Sequence, residues 1–325
     1  MPMSNRRTFL KTAALASGAA VLRAQTTARS VETPVLNIAC EESGPATGFP
    51  VILLHGFPDD AHAWDDVAPP LAKAGYRVIA PYIRGYGATR FRDPAAPRAA
   101  EQAAIGQDVI DLADALKLSR FAVGGYDWGG RAAAVAAALH PDRVSAAVLI
   151  GGYTIQDTIS PPQPSMSPAA EERTWYQWYF NTERGRLGLE KNRKALCRYL
   201  WQTWSPTWKF SDETYNKTAA SFENPDFVDC VIHSYRHRYQ NAPGEPRFLA
   251  VERELARRPK ITCPVITLYG ADDGFGRPLQ NSSPAERAVL PGLVAHRVVQ
   301  GAGHFMPREK PDAVSSAMLE LLKNL

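Results

Sequence analysis

One short segment in the middle of the chain, Gly125-Tyr126-Asp127-Trp128-Gly129-Gly130, constrains the fold more than any other. It follows an apolar run at 121–124 and precedes an alanine-rich run at 132–139. This order predicts a strand, a sharp turn and a helix. The small residues on both sides permit a strained turn that lifts the side chain of Asp127 above the edge of a sheet.

A turn of this kind presents a nucleophile in many enzymes, and the position often held by serine is an aspartate here. A serine hydroxyl needs a base to remove its proton, whereas a carboxylate is already ionised at neutral pH. The pattern therefore predicts that Asp127 attacks an sp3 carbon and forms an ester with it. The competing interpretation is a glycine-rich turn without chemistry, so the prediction depends on partners elsewhere in the chain.

An orienting acid and a histidine are expected after such a nucleophile, in that order along the chain. The loop at 270–273 follows a predicted buried strand at 261–269 and carries two carboxylates. We expect Asp273 to be the acid, with Asp272 as the alternative. The glycine-containing loop at 301–305 follows another short strand and presents His304, which we expect to be the base.

The apolar run at 51–54 predicts a central strand that ends at His55-Gly56-Phe57-Pro58. Hydrolysis of an enzyme ester passes through a tetrahedral oxyanion, and each backbone N–H aimed at that oxygen contributes on the order of 100-fold in rate. We expect the N–H groups of Phe57 and Trp128 to be these donors. The proline restricts the loop, and its peptide bond can be cis at modest cost.

Strand and helix patterns alternate over residues 34–152 and resume over 259–325. They predict an α/β fold with a mostly parallel sheet and helices on both faces. Residues 153–258 begin with a proline-rich stretch and continue as an aromatic, helical segment, in which five of the seven tryptophans lie between positions 175 and 208. We expect this insertion to be a helical lid whose aromatic residues pack its core and in part line a pocket.

Taken together, these motifs resemble those of α/β-hydrolases, in the aspartate-nucleophile branch that includes the epoxide hydrolases. The resemblance covers nearly all of the chain after residue 34, and its matching segments are 55–58, 84–87, 125–130, 270–273, 303–305 and 309–311. It implies an α/β-hydrolase fold with an inserted lid. It also implies an enzyme that opens an epoxide to a diol without a cofactor.

Epoxide hydrolases carry two lid tyrosines that hold the epoxide oxygen. The resemblance places Tyr176 in the first of these roles and Tyr235 in the second, with Tyr239 as the alternative. The aromatic content of the lid indicates a small apolar or aromatic substrate, and we expect its pocket to be lined by His55, Pro58, Trp178 and Tyr179.

Two other functions remain open. A haloalkane or haloacid dehalogenase would use the same aspartate, histidine and acid, with N–H donors for a halide in place of the tyrosines. Haloalkane-opening relatives usually have asparagine where Phe57 stands, and fluoroacetate-type relatives need arginine where Trp128 stands. A catalytically silent binding protein with this fold would have no need for an ionised carboxylate beside a histidine. Position 126 is tyrosine in this chain, whereas related proteins of this branch often have histidine there. The difference indicates that the chain belongs to a distinct subfamily.

The amino terminus predicts export. Arg6 and Arg7 precede a short, weakly apolar stretch at 13–22, and this pattern is typical of a twin-arginine signal peptide. We expect residues 1–24 to be removed after Ala24 and the folded enzyme to reach the bacterial periplasm, or to be secreted, through the twin-arginine export machinery. The alternative is a disordered basic tail.

Replacing Arg6 and Arg7 by lysine should leave a full-length precursor in the cytoplasm, because the export machinery reads the arginine pair. The native chain should yield a periplasmic form that begins near Gln25. Cell fractionation followed by amino-terminal sequencing measures both. An uncleaved native chain free in the cytoplasm would contradict the signal peptide.

Composition and spacing argue against several other classes. The formal net charge is only +4 and the arginines are scattered along the chain, so nucleic acid binding has little support. No run of about 18 apolar residues is present, so no membrane span is expected. His233 and His237 stand four residues apart but lack an acidic helix motif, so no metal site is predicted. The four cysteines are expected to be buried thiols.

Overall fold

The computed structural model describes residues 26–161 and 167–325, so the predicted signal peptide at 1–24 lies outside the described residues. Within these ranges the chain forms a nine-stranded sheet. Its strands are β1 (Thr27–Glu32), β2 (Leu36–Ser43), β3 (Pro50–Leu54), β4 (Arg77–Pro81), β5 (Arg90–Phe91), β6 (Phe121–Tyr126), β7 (Val144–Ile150), β8 (Val265–Gly270) and β9 (Leu293–Val299).

The strand order places the predicted loops side by side. Across the sheet the order is β1-β2-β4-β3-β6-β7-β8-β9, with β5 paired to β2. The pairs made by β2 are antiparallel, and the sheet is parallel from β4 through to β9. Leu54 lies opposite Gly125 in the register of β3 and β6. The loop after β3 and the turn after β6 therefore leave the same edge of the sheet as neighbours.

Twelve α-helices lie in the described part of the chain. They are α1 (Ala68–Lys73), α2 (Gln102–Ala115), α3 (Asp127–Leu139), α4 (Pro168–Arg173), α5 (Trp175–Asn181), α6 (Glu183–Trp204), α7 (Asp212–Ala219), α8 (Phe227–Arg238), α9 (Leu249–Ala256), α10 (Pro284–Val289), α11 (Met306–Glu309) and α12 (Pro311–Leu322).

Helices cover both faces of the sheet, as the sequence predicted. Successive residues of β6 point to opposite faces. A Cβ on Gly124 would meet Met318 of α12, and a Cβ on Gly125 would meet Gly129 of α3. Helix α1 packs beside α12, and α2 packs beside α3. The buried branched side chains of the central strands, such as Leu53, Val123 and Val148, form the core between these layers.

Helices α4 to α9 lie between β7 and β8, and we refer to them as the lid. Aromatic side chains join the lid to the sheet. The Phe57 ring lies 5.7 Å from Phe180 and 6.1 Å from Trp204, centroid to centroid. The indole N–H of Trp201 donates to the carbonyl of Pro58 at 2.7 Å. Trp175 is 37% exposed and Trp178 is 40% exposed, so not all lid tryptophans belong to this packing.

The structure differs from the sequence prediction at two strands. The strand expected from Ile261 begins at Val265, because Pro264 has no N–H to give to a neighbouring strand. Strand β1 was not anticipated, since most of its side chains are exposed and show no alternation of apolar and polar residues.

All four cysteines are buried and unpaired. None of the described helices is long and apolar enough to cross a bilayer.

Candidate active site

Asp127 occupies a strained turn between β6 and α3. Its φ is +52°, a left-handed conformation that aspartate adopts at a cost of order 1–3 kcal/mol. A Cβ on Gly129 would lie 2.2 Å from the carbonyl oxygen of Leu54, and a Cβ on Gly56 would lie 2.4 Å from the Cβ of Asp127. The flanking glycines are therefore needed for the close approach of the two loops that carry the site.

The carboxylate of Asp127 is held by backbone donors. The N–H of Phe57 donates to its Oδ1 at 2.8 Å, and the neighbouring N–H of Trp128 also stabilises the charged carboxylate. Burial by itself would raise the pKa of Asp127, but His304 and these two N–H groups outweigh it and hold the pKa below its usual value. Asp127 is therefore ionised at neutral pH, with Oδ1 anchored.

His304 lies between two carboxylates. Its Nε2 is 3.7 Å from Oδ2 of Asp127, and its Nδ1 is 3.3 Å from Oδ2 of Asp273. Burial by itself would lower the pKa of His304, but the two anions outweigh it and raise the pKa to about 10. Asp272 points elsewhere, because its carboxylate accepts the hydroxyl of Thr207 at 3.3 Å. The structure thus brings Asp273, and not Asp272, against His304.

The loops that carry His304 and Asp273 are fixed by local hydrogen bonds. The other oxygen of Asp273, Oδ1, accepts the N–H of Phe275 at 2.9 Å. On the histidine loop, the N–H of Gly303 donates to Glu309 at 2.8 Å, and the N–H of Phe305 donates to the Ser205 hydroxyl at 3.1 Å. The imidazole and its partner acid are therefore oriented before any substrate arrives.

The loop after β3 is shaped by His55. Burial lowers the pKa of His55 to about 4, so its ring is neutral. Its Nε2 accepts the N–H of Ile83 at 3.1 Å, so Nδ1 carries the proton and donates to the carbonyl of Gly56 at 3.1 Å. The peptide bond between Phe57 and Pro58 is cis. His55 thus supports the loop that aims the Phe57 N–H at Asp127.

Two tyrosines of the lid, Tyr176 on α5 and Tyr235 on α8, stand together. The rings of Tyr176 and Tyr235 meet edge to face, with centroids 5.4 Å apart. Burial raises the pKa of both, so both carry their proton at neutral pH. The Tyr176 hydroxyl accepts a hydrogen bond from the side-chain amide of Gln177 at 2.9 Å, which leaves its own proton free to donate. The Tyr239 hydroxyl donates instead to the carbonyl oxygen of the Gln177 side chain.

A cavity of about 590 Å³ opens between the lid and the carboxyl edge of the sheet, a size usual for small-molecule sites. Asp127, His304, Asp273 and Tyr176 all line it. The remaining wall includes some apolar side chains, but also Gln177, Thr154 and four arginines: Arg131, Arg173, Arg238 and Arg277. The cavity is therefore more polar than the apolar pocket that the sequence predicted.

Comparison with known proteins gives named relatives over nearly the whole chain. Epoxide hydrolase A of Mycobacterium tuberculosis is 27% identical over an alignment 332 residues long, gaps included, that covers 92% of this chain and 98% of that protein. An epoxide hydrolase of Caballeronia sordidicola is 28% identical over 309 residues, covering 89% of this chain and 91% of that protein. A crystal structure from Klebsiella pneumoniae, provisionally described as an epoxide hydrolase, is 40% identical with a TM-score of 0.87, covering 91% of this chain and 97% of that chain.

The family model of the α/β hydrolase fold matches residues 50–311. The chain belongs to the α/β-hydrolase family. This match and the structural similarity confirm the predicted fold and the predicted resemblance, and they identify the protein as a hydrolase of the epoxide hydrolase-like kind.

Four residues expected to line the pocket of this α/β-hydrolase lie outside the cavity. His55 is fully buried beneath the loop, and the Pro58 carbonyl faces Trp201 in the lid. Trp178 is exposed and lies two positions after Tyr176, which is 200° around α5 and so on the opposite side of the helix. Tyr179 is half-buried against α6, where a Cβ on Gly188 would lie 1.9 Å from its hydroxyl oxygen.

The sequence analysis missed the polar residues of the cavity wall. Arg131 stands four residues after Asp127 in α3, and residues at this spacing share one helix face, which was a usable signal. Gln177 directly follows Tyr176 and bridges it to Tyr239 through its side chain. Arg173, Arg238 and Arg277 come from distant segments and carry no comparable signal. His233 accepts the N–H of Ala100 at 2.9 Å, as a hydrogen-bonded lid residue.

Proposed function

We propose that this hydrolase opens epoxides to diols through a covalent ester of Asp127, without a cofactor. One arrangement carries the proposal: an ionised nucleophile faces a protonated phenol, Tyr176, across a cavity that also holds His304. A carboxylate nucleophile suits attack on an sp3 carbon, and a phenol suits the oxygen that is released. The names of the relatives support the same reaction class.

The first step forms the ester. Oδ2 of Asp127 attacks one ring carbon from behind, since Oδ1 is occupied by the N–H of Phe57. The bond between that carbon and the ring oxygen breaks, and the oxygen takes a proton from Tyr176, assisted by the neighbouring Tyr235. In the same step the Asp127 carboxylate becomes a neutral ester, and its negative charge passes to the Tyr176 phenolate.

The loss of the Asp127 charge prepares His304 for the second step. In the free enzyme both Asp127 and Asp273 raise the pKa of His304, so the imidazole is protonated. After ester formation only Asp273 does so, and the pKa of His304 falls. The histidine proton can then restore the tyrosine, which leaves a neutral imidazole able to act as a base.

The second step hydrolyses the ester. His304 removes a proton from water, and the resulting hydroxide attacks the carbonyl carbon of the Asp127 ester. The negative charge that develops on Oδ1 is stabilised by the N–H of Phe57, which already donates to this atom, and by the N–H of Trp128, which also stabilises the Asp127 carboxylate. The bond between the acyl carbon and the alkyl oxygen then breaks, and that oxygen takes the second proton of the attacking water, so the diol leaves and the Asp127 carboxylate is restored. The first proton of that water remains on His304.

Replacing Asp273 by asparagine should slow hydrolysis of the ester by about 100-fold or more, because His304 loses the partner that fixes its tautomer and orientation. Formation of the ester should change much less. Rapid quenching with mass detection separates the two steps. Asp272→Asn is the matched control and should retain normal turnover. If Asp272→Asn inactivates the enzyme and Asp273→Asn does not, then Asp272 is the residue that orients His304.

A parallel assay tests the reaction class. The mature protein is incubated with a panel of epoxides, haloalkanes and haloacids, and both diol and free halide are measured. The proposal expects diol formation to dominate. Halide release that outpaces diol formation across the panel would favour the dehalogenase. Ligand-induced thermal stabilisation without any turnover would favour a silent binding protein.

A further inference from the structure

Four arginines line the cavity without a carboxylate partner. Arg131, Arg173, Arg238 and Arg277, the arginine cluster, come from α3, α4, α8 and the loop after β8. In the described part of the chain no Asp or Glu oxygen lies within 4.0 Å of their guanidinium groups, whereas thirteen other arginines make such ion pairs. The cluster therefore places four positive charges without ion-pair partners on the wall of the cavity that Asp127 also lines.

Arg131 is the buried member of the cluster. It is 8% exposed, and its guanidinium lies 4.5 Å from the ring centroid of Trp128 and donates from Nη1 to the side chain of Gln156 at 2.8 Å. Its Nε and the hydroxyl of Thr154, which also lines the cavity, are buried without a hydrogen-bond partner in the described structure. Unpaired buried polar groups are costly, and the protein leaves the Arg131 side chain incompletely satisfied at this cavity wall.

The four positive charges of the arginine cluster together create a positive electrostatic potential in the cavity. Burial and, after it, the nearby charge of Arg238 lower the pKa of Arg131 to about 9, although Asp127 and Glu252 act in the opposite direction. Arg131 is still a cation at neutral pH. Arg238 is half-buried, and Arg173 and Arg277 are exposed, so the positive charge extends from solvent to the cavity floor. Such a gradient attracts an anion and guides it inwards.

The acidic residues in the cavity do not neutralise this cluster. Asp127 and Asp273, which also line it, both face the protonated His304. We propose that the arginine cluster binds a carboxylate of the substrate, so that the enzyme acts on epoxides that carry a carboxylate group. This inference rests on the proposed epoxide hydrolysis and specifies its substrate class.

The position of Arg131 limits where that carboxylate lies. Residues four apart on a helix have Cβ atoms about 5–6 Å apart, so Arg131 stands one turn beyond Asp127. A carboxylate bound there belongs to the same small molecule as the ring carbon that Asp127 attacks. The structure therefore favours a compact epoxy acid over a long neutral epoxide.

A pair of probes tests the inference. The compound 4-(oxiran-2-yl)benzoate carries a carboxylate, and 4-(oxiran-2-yl)benzamide has nearly the same shape without the charge. We expect kcat/KM for the benzoate to exceed that for the benzamide by about 30-fold or more, the value expected for a buried charge-assisted contact. Added salt should lower kcat/KM for the benzoate and leave the benzamide nearly unaffected.

Variants of the arginines test whether the cluster causes the preference for the benzoate over the benzamide. Arg131→Gln should lower the benzoate-to-benzamide ratio by about 30-fold, and Arg131→Lys should retain more of it because it keeps the charge. Arg238→Gln should lower the ratio by about 10-fold. Arg236→Gln is the matched control, since Arg236 lies on the same helix but pairs with Glu183 outside the cavity. Its ratio should equal that of the native enzyme, and thermal unfolding shows whether each variant is folded.

The outcomes separate this inference from the proposed function. Equal turnover of both probes, or the same loss of preference in Arg236→Gln, overturns the carboxylate site and leaves epoxide hydrolysis standing. If neither probe is hydrolysed, the proposed function fails, and calorimetric binding of 4-(1,2-dihydroxyethyl)benzoate decides the inference alone. Binding that is lost in Arg131→Gln supports the carboxylate site, and absence of binding overturns it.

Discussion

The His304→Gln enzyme mixed with an epoxide should accumulate a protein adduct heavier by one substrate molecule, located on Asp127. Alkylation needs only the ionised carboxylate and a proton donor, and the lowered pKa of Asp127 keeps that carboxylate ionised. Hydrolysis needs a base next to the ester, and loss of such a base typically costs about 100- to 10,000-fold. Intact mass measurement and peptide mapping detect the adduct and its position.

The pH dependence of the native enzyme provides an independent check. Ester hydrolysis requires neutral His304, whose pKa falls below the free-enzyme value of about 10 once Asp127 is esterified. The hydrolysis rate should therefore rise with pH through this lower pKa, and the adduct should accumulate in the native enzyme as the pH is lowered. An adduct on another residue, or normal turnover by His304→Gln, would refute the assigned roles.

Replacing both Tyr176 and Tyr235 by phenylalanine should abolish most epoxide alkylation while the lid stays folded. Phenylalanine preserves the edge-to-face contact of the two rings and removes only the hydroxyls. The alkoxide released from the ring then has no proton donor, and general acid assistance is typically worth about 100- to 10,000-fold. The measurement is the amplitude and rate of adduct formation on a His304→Gln background.

Tyr239→Phe serves as the matched control for this pair. Its hydroxyl is bound to Gln177 and its ring contacts Trp178, 4.3 Å away between centroids, outside the cavity wall. We expect alkylation by this variant to remain near the native rate. Undiminished epoxide opening in the double variant would remove the tyrosines from the mechanism and favour the dehalogenase, because a halide leaves as a stable anion without a proton.

The sequence alone located the groups that sit on strand ends. Asp127, Phe57, His304 and Asp273 each follow a predicted strand, and parallel strands in register bring their carboxyl ends to one edge. The glycines around Asp127 also specify a local turn, because backbone strain and close approach act over a few residues. These features are encoded in short segments, so they could be predicted without coordinates.

Only the tertiary structure decided what depends on the direction of a side chain. Neighbouring Asp272 and Asp273 look equivalent in sequence, but one faces Thr207 and the other His304. Tyr235 lies against Tyr176, whereas Tyr239, just beyond the end of α8, reaches Gln177 instead.

The polar character of the cavity also came from tertiary packing. Its arginines belong to four segments separated by up to 146 positions, from Arg131 to Arg277. A hydrophobic pattern reports which face of one element is buried, not which polar side chains converge from several elements. The sequence therefore determined the fold and which loop residues meet at the candidate site, while the charge around the cavity was set by how the lid lies on the sheet.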